Sequence, residues 1–284
     1  MNEYASLSRL KAECGVPMTE RSYDAALLRM TERISRAWDT LTRRRYFTKL
    51  ETRRWDGAND RYGSVVGMWA PVDIASLTTL KVDDNDDGVY ELTLVSGTDY
   101  RLVRLREEDP SPYCRIDLIP RGTQLSSFPR GFETVQAVGY FGFSDETETL
   151  TAVVGTGGIT ASAVSLPLPV GHVDAGDFIG PGDTLVIGTE HIAVLASIDS
   201  THVTIKRGIN GTTAAIQADG AAMTRRRFPR EIEEATIMQV ARLFRESKGG
   251  FSSQAGDATT GVTFNALWAP IRDLIKPYMQ PGVA

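Results

Sequence analysis

The feature that most constrains this chain is a break in its composition. Residues 146–223 are rich in Gly, Ala, Thr and Val, contain one aromatic, Phe178, and hold all three histidines, His172, His191 and His202. A stretch with so few large side chains builds only a small core. Its short apolar runs, bounded by turn signals, read as strands. Leu185-Val186-Ile187, Ile192–Ile198 and His202–Ile205 are such runs, and Gly180-Pro181-Gly182-Asp183 and Ile209-Asn210-Gly211-Thr212 are the turns between them. The segment reads as a small all-β module inserted in a surface loop, where added chain costs little loop-closure entropy.

Helix patterns lie at both ends of the chain. Leu7 and Leu10 sit one turn apart before the stop Glu13-Cys14-Gly15-Val16-Pro17. A second helix is expected to start near Thr19 or Ser22, with Leu27, Met30, Ile34, Trp38 and Leu41 on one stripe and Arg29, Arg33 and Arg36 mainly off it. It should fade near Thr42 to Arg45. After the module, Phe228-Pro229 opens a third helix. Proline is tolerated in a first turn, and Glu231, Glu233 and Glu234 suit the positive end of the helix dipole. Ile237, Val240, Ala241 and Phe244 line its face. A Gly/Ser/Thr-rich linker, Gly249 to Gly261, leads to an aromatic tail in which Ala266, Leu267, Ile271, Leu274 and Ile275 suggest a last short helix.

Between Tyr46 and Phe143 the pattern is β. One strand ends at Val82, and Tyr90–Leu94, Tyr100–Leu105, Cys114–Ile119 and Thr134–Tyr140 read as further strands. Pro120-Arg121-Gly122 and Pro129-Arg130-Gly131 punctuate them.

Composition sets outer bounds. The 284 residues, 42% hydrophobic and 24% charged, suffice for one elaborated domain or two small ones. A net charge of -5 argues against a dedicated nucleic-acid binder while leaving room for local basic patches. Cys14 and Cys114 have no metal-ligand spacing and read as reduced structural thiols. Met1 to Lys11 lacks the apolar core of a signal peptide, and no stretch has the length of a membrane span. The expectation is a protein made in a cytoplasm, and used there or carried out within a particle.

The order of the segments resembles the head-to-tail connector (adaptor) family of long-tailed bacteriophages. Five matches carry the likeness, the β block counting as one. An N-terminal helical pair ends in Leu41-Thr42-Arg43-Arg44-Arg45-Tyr46-Phe47. A β block follows with Trp69-Ala70-Pro71-Val72-Asp73-Ile74, Leu80-Lys81-Val82-Asp83-Asp84 and Gly97-Thr98-Asp99-Tyr100-Arg101-Leu102. Gly139-Tyr140-Phe141-Gly142-Phe143 then leads toward Pro229-Arg230-Glu231-Ile232, and Leu274-Ile275-Lys276-Pro277-Tyr278 closes the chain. The resemblance implies an α+β fold: a helical connector domain with a small β-sheet block at 1–145 and 226–284, plus the inserted all-β module at 146–225. It also implies a virion structural protein and not an enzyme. Copies would form a homo-oligomeric, dodecameric ring that docks on the portal protein and extends the DNA channel. The ring would receive a head-completion (stopper) or tail-terminator protein at the virion neck, after assembly in the host cytoplasm. Genomic DNA would pass through without sequence recognition, and no cofactor or membrane is involved.

Candidate sites follow from residue type. Arg43, Arg44 and Arg45, with Arg53 and Arg54 beyond them, and Arg225, Arg226 and Arg227 flank the helix–β junctions. They suit DNA phosphates or acidic patches on a neighbouring subunit, and subunit or portal contacts are favoured. Phe264, Trp268, Ile271, Leu274 and Tyr278 lie beyond the linker, where an aromatic arm suits docking on the portal; packing on the chain's own domain is the alternative. Asp83, Asn85 and Asp87 with Gly88 match the first half of a calcium loop, but Leu94 stands where the bidentate Glu belongs, so a hairpin turn is the better reading. Val154-Gly155-Thr156-Gly157-Gly158 lacks the Lys-Ser/Thr end of a phosphate loop. The histidines show no His-x-x-x-His spacing, and the carboxylate groups Asp145/Glu146/Glu148 and Glu231/Glu233/Glu234 read as solvated charge. No catalytic constellation or metal site is expected. The rival readings are a virion-surface carbohydrate-binding or adhesion module and a tail-associated hydrolase.

Overall fold

The computed structural model describes residues 2–57, 73–104, 112–119, 125, 127–173, 179–248 and 269–279. Two compact units emerge. One joins Met1–Arg43 to Glu146–Met279, and the other spans Arg44–Asp145. The sequence-based boundaries placed 146–225 apart from both chain ends, whereas here the β module and the terminal helices share one unit.

In the first unit, α1 (Leu7–Cys14) ends at Gly15, whose φ of 66° lets its N–H reach the Ala12 and Lys11 carbonyls. Lys11 is buried. Its Nζ donates to the Met18 and Glu20 carbonyls at 3.1 and 2.8 Å and pairs with Asp24 at 2.6 Å, pinning the turn into α2 (Asp24–Thr42). On α2, Leu27, Ile34 and Trp38 are buried as the stripe requires, while Leu41 is 41% exposed. α2 ends at Arg43, which takes the left-handed conformation at φ 56°. α3 (Arg230–Lys248) buries Ile237, Val240, Ala241 and Phe244 as expected, and α4 (Ala269–Ile275) packs on it. Among the described residues no helix is long and apolar enough to cross a membrane.

The same unit contains β7 (Thr147–Val153), β8 (Ser165–Pro167), β9 (Thr184–Ile187), β10 (Glu190–Ser197), β11 (His202–Ile209) and β12 (Ala222–Arg226). They form one antiparallel sheet in the order β7-β12-β9-β10-β11-β8. Gly155 N–H, just past β7, donates to the Pro167 carbonyl at the end of β8, so the two sheet edges approach each other and the sheet curls. Leu150, Ala152, Leu166, Leu185, Ile192, Val203 and Met223 help fill its interior. The glycine run after Val154 makes the turn: at Gly158 (φ 62°) a Cβ would stand 2.4 Å from the Gln217 carbonyl oxygen. That is a packing reason for glycine.

The second unit holds β1 (Lys49–Gly57), β2 (Ile74–Val82), β3 (Leu92–Leu94), β4 (Tyr100–Arg104), β5 (Tyr113–Leu118) and β6 (Gly131–Phe141). Their order is β1-β6-β2-β5-β4, with β3 paired to β2. Val135, Ala137 and Phe141 alternate inward on β6 and meet Ile74, Leu80, Val82, Ile116 and Leu118.

The expected fold class is therefore corrected. The chain is mostly β, with two six-stranded antiparallel sheets, and not a helical connector domain with a small sheet. The described helices are 8, 19, 19 and 7 residues long. The strands that complete the sheets include β1, β7 and β12, which are rich in charge and Thr. Backbone pairing builds them, and an apolar pattern does not announce them.

Candidate functional site

The densest chemistry lies in the first unit, where β12 presents three consecutive arginines, Arg225 and Arg226 ending the strand and Arg227 just past it. Arg225 reaches Glu148 on the paired strand at 2.8 Å and Asp183 at 3.6 Å. Arg227 lies 3.7 Å from Glu148 and 3.8 Å from Glu233 on α3. Glu233 in turn pairs with Arg9 of α1 at 2.8 Å, and Arg9 with Glu234 at 3.3 Å. The result is a run of alternating charge from the curled sheet to the helices. Glu3, Tyr4, Asp183, Arg225, Arg227 and Glu233 line a shallow polar cleft along it.

Asp183 is buried at the turn before β9. Burial pushes its carboxyl up to about 6, against the pull of Arg225 and the Gly180 amide. His191 is buried one strand away. Burial, with Arg226 adding to it, brings its imidazole down to about 4. Arg226 Nη2 lies 2.9 Å from His191 Nε2, so that nitrogen accepts and the ring is held neutral at ordinary pH. A neutral, fully enclosed imidazole serves here as a hydrogen-bond acceptor.

Glu190 shows the same logic. Arg207 Nε and Nη2 each approach its carboxylate at 2.6 Å, and the Gly208 and Ala215 amides and the Gln217 side chain complete the shell. Burial alone would raise the Glu190 carboxyl, but these donors outweigh it and lower it.

In the second unit, Arg44 pairs with the buried Asp73 at 2.5 Å, and Arg45 pairs with Glu51 at 2.9 Å and donates to the Phe141 carbonyl at 2.6 Å. Burial lifts Asp73 to about 6 despite Arg44. Burial works on Glu51 in the same direction, but Arg45 and Arg53 prevail and hold it at about 2. Of the eight arginines singled out from the sequence, Arg44, Arg45, Arg53, Arg54, Arg225, Arg226 and Arg227 are thus engaged within their own units. Arg43 is exposed at the end of α2.

Asp83 is buried at the end of β2. Its Oδ1 accepts from the Asn85, Asp86 and Asp87 amides and its Oδ2 from the Gly88 amide at 2.7 Å. Burial opposes its charge, yet these amides hold its carboxyl below the usual range. The carboxylate ties the turn, as the hairpin reading expects. Carboxylate oxygens of Asp83, Asp87 and Glu91 lie within 4.8 Å of one another, and Glu91 is a member the sequence reading did not include.

In the C-terminal arm, Phe264 and Trp268 lie outside the described residues. Ile271 is fully buried against its own unit, Leu274 is half-buried, and the Tyr278 hydroxyl donates to Glu231 at 2.5 Å. His202 opens β11, half-buried and 3.3 Å from Asp199. Burial raises both thiols, Cys14 and Cys114, which lowers their reactivity.

The sequence reading missed Asp73 and Asp183 as buried charges and did not join Glu190 to Arg207. A usable signal existed for the last pair: opposite charges on two apolar runs joined by a short turn, Thr201 lying between them.

No family model, curated protein or solved structure matches this chain.

Proposed function

We propose that the chain is a structural protein of a long-tailed phage particle, a head-to-tail connector subunit that acts by binding in a ring. What carries this reading is the collinear order of the five sequence matches from Leu41–Phe47 to Leu274–Tyr278. The charged clusters agree with it in character. Glu190, Asp73 and Asp183 are each paired with an arginine of their own unit, Arg207, Arg44 and Arg225, and so serve to fix geometry.

Function in a ring rests on repetition. Each copy makes modest contacts with its neighbours and with the portal, and symmetry multiplies them. The portal on one side and a stopper or tail-terminator on the other are the proposed partners, with DNA passing through unread. This function is proposed for the mostly β chain described above and does not need a predominantly helical domain. The test is co-purification of the full chain with DNA-filled heads. Recovery at the neck, in many copies per head, is the expected result; recovery on host-cell glycans or cell wall would instead favour an adhesion module or hydrolase.

A further inference from the structure

Helix α2 carries its apolar stripe inward, and its opposite side is basic. Arg29, Arg33, Arg36 and Thr40 recur at steps of four, three and four residues, which places them along one line of α2, and Arg43 caps its C-terminal end. From Arg29 to Thr40 this line runs about 16 Å at the helical rise. Arg36 is used internally, on Asp39 at 3.2 Å and on the Asn2 carbonyl at 3.0 Å. Arg29, Arg33 and Arg43 are exposed, and among the described residues none of them has an ion pair or hydrogen bond. In a chain of net charge -5, this face presents exposed Arg29 and Arg33 with Arg43 at the helix end, flanked by Glu32 and by Asp39, which is taken up by Arg36.

The second unit presents the complementary feature. Between Val82 and Tyr100 the sequence has no Lys or Arg, and it carries Asp84, Asp86, Asp87 and Glu91, all exposed. The loop is a fixed object because Asp83 points inward and ties the amides of residues 85 to 88. Its outer carboxylates are crowded, with those of Asp87 and Glu91 within 4.8 Å of each other, so a cationic partner relieves repulsion there. Val89, 57% exposed, adds an apolar contact to the same loop.

We propose that the basic face of α2, centred on Arg29 and Arg33 with Arg43 at its end, receives the acidic 84–91 loop of a second copy of this chain. The contact joins two different surfaces, so it is head-to-tail, and such contacts generate rings when the rotation closes. The inference rests on the ring reading above and names the contact that closes it. Charge complementarity of this kind sets partner register and encounter rate, and salt weakens it.

The test uses the full chain in sedimentation velocity at about 50 mM and about 0.5 M salt, between which the Debye length shrinks about threefold. One variant combines Arg29→Glu with Arg33→Glu; the other combines Asp84→Lys with Glu91→Lys. All four side chains are exposed, Glu91 lies within 4.8 Å of the buried Asp83, and circular dichroism checks that both variants fold. Each variant alone should need at least about tenfold more protein to assemble than the parent, the loss of roughly 1.4 kcal/mol of contact. An equimolar mixture of the two should recover assembly, because each copy then meets a neighbour of opposite sign on both sides. Unchanged assembly of the single variants, or a mixture that stays as impaired as its components, overturns this contact while leaving the ring reading intact. A parent chain that is monomeric at both salt levels, with and without portal, overturns the ring reading itself and this contact with it.

Discussion

Arg207 grips Glu190 through two hydrogen bonds of 2.6 Å, with side chains 7% and 1% exposed. Removing one member leaves the other charge in the interior without its partner. The variant Arg207→Ala should therefore cost about 3–5 kcal/mol of stability. Replacing both with apolar residues of similar volume should cost far less. Urea unfolding of the two variants separates these outcomes: equal losses would mean that the pair itself, and not the orphaned charge, sets the cost.

Asp73 gives the second unit an unusual pH dependence. Its folded carboxyl holds a proton up to about 6, whereas an unfolded aspartate releases it near 3.8. Between those values the folded state binds more protons, so stability rises as pH falls, by about 3 kcal/mol for a shift of this size. Glu51, held at about 2 against 4.5 in the unfolded chain, works the other way, and its contribution is lost as pH falls from 4.5 toward 2. Protection of β6 amides in hydrogen exchange should peak near pH 4–5 and lose its rise in Asp73→Asn. A protection profile that falls steadily from pH 7 in the parent would contradict this.

In the first unit two shifts oppose each other. Asp183, at about 6, adds stability as pH falls; His191, at about 4 against 6.5 unfolded, removes it as pH falls through the same range. The parent should be nearly flat there. His191→Gln should expose the rise and Asp183→Asn the fall, read from exchange of the β9 and β10 amides. Matching slopes in the two variants would rule out this balance.

Trp38 Nε1 donates to Thr236 Oγ1 at 2.9 Å, joining α2 to α3 in the core. Thr236→Val keeps the shape and removes the acceptor, leaving a buried donor unpaired at a cost of about 1–3 kcal/mol. Trp38→Ala should cost about 3–5 kcal/mol through the cavity it leaves. Denaturation midpoints for the two variants check both values.

Gly142, at φ 149°, lies where a Cβ would stand 2.2 Å from the Phe47 carbonyl oxygen. Gly142→Ala should destabilise the second unit by more than about 1 kcal/mol. A neutral effect on the urea midpoint would show that this close approach relaxes freely.

The helices were the most legible part of the sequence. A stripe such as Ile237, Val240, Ala241 and Phe244 records burial on one face directly, and Gly15 records a left-handed stop. The strands around Val82, Tyr100, Ile116 and Val135 were legible for the same reason. β1 was not, because Lys49, Glu51, Arg53, Arg54 and Asp56 leave no alternating apolar signal; its partner β6 specifies it through backbone pairing. The arginines at 225 to 227 looked like a free basic patch because charge is visible in sequence while its partner is not. Glu148 lies 77 residues from Arg225, across a strand pairing that only the fold creates. The buried Asp73 and Asp183 were hidden likewise, since burial of a single carboxylate leaves no periodic trace.

The most direct test of the connector account is electron microscopy of the purified full chain, alone and mixed with portal complexes. The account predicts closed rings of many copies, either free or stacked coaxially on the portal. Isolated single copies under both conditions would contradict it.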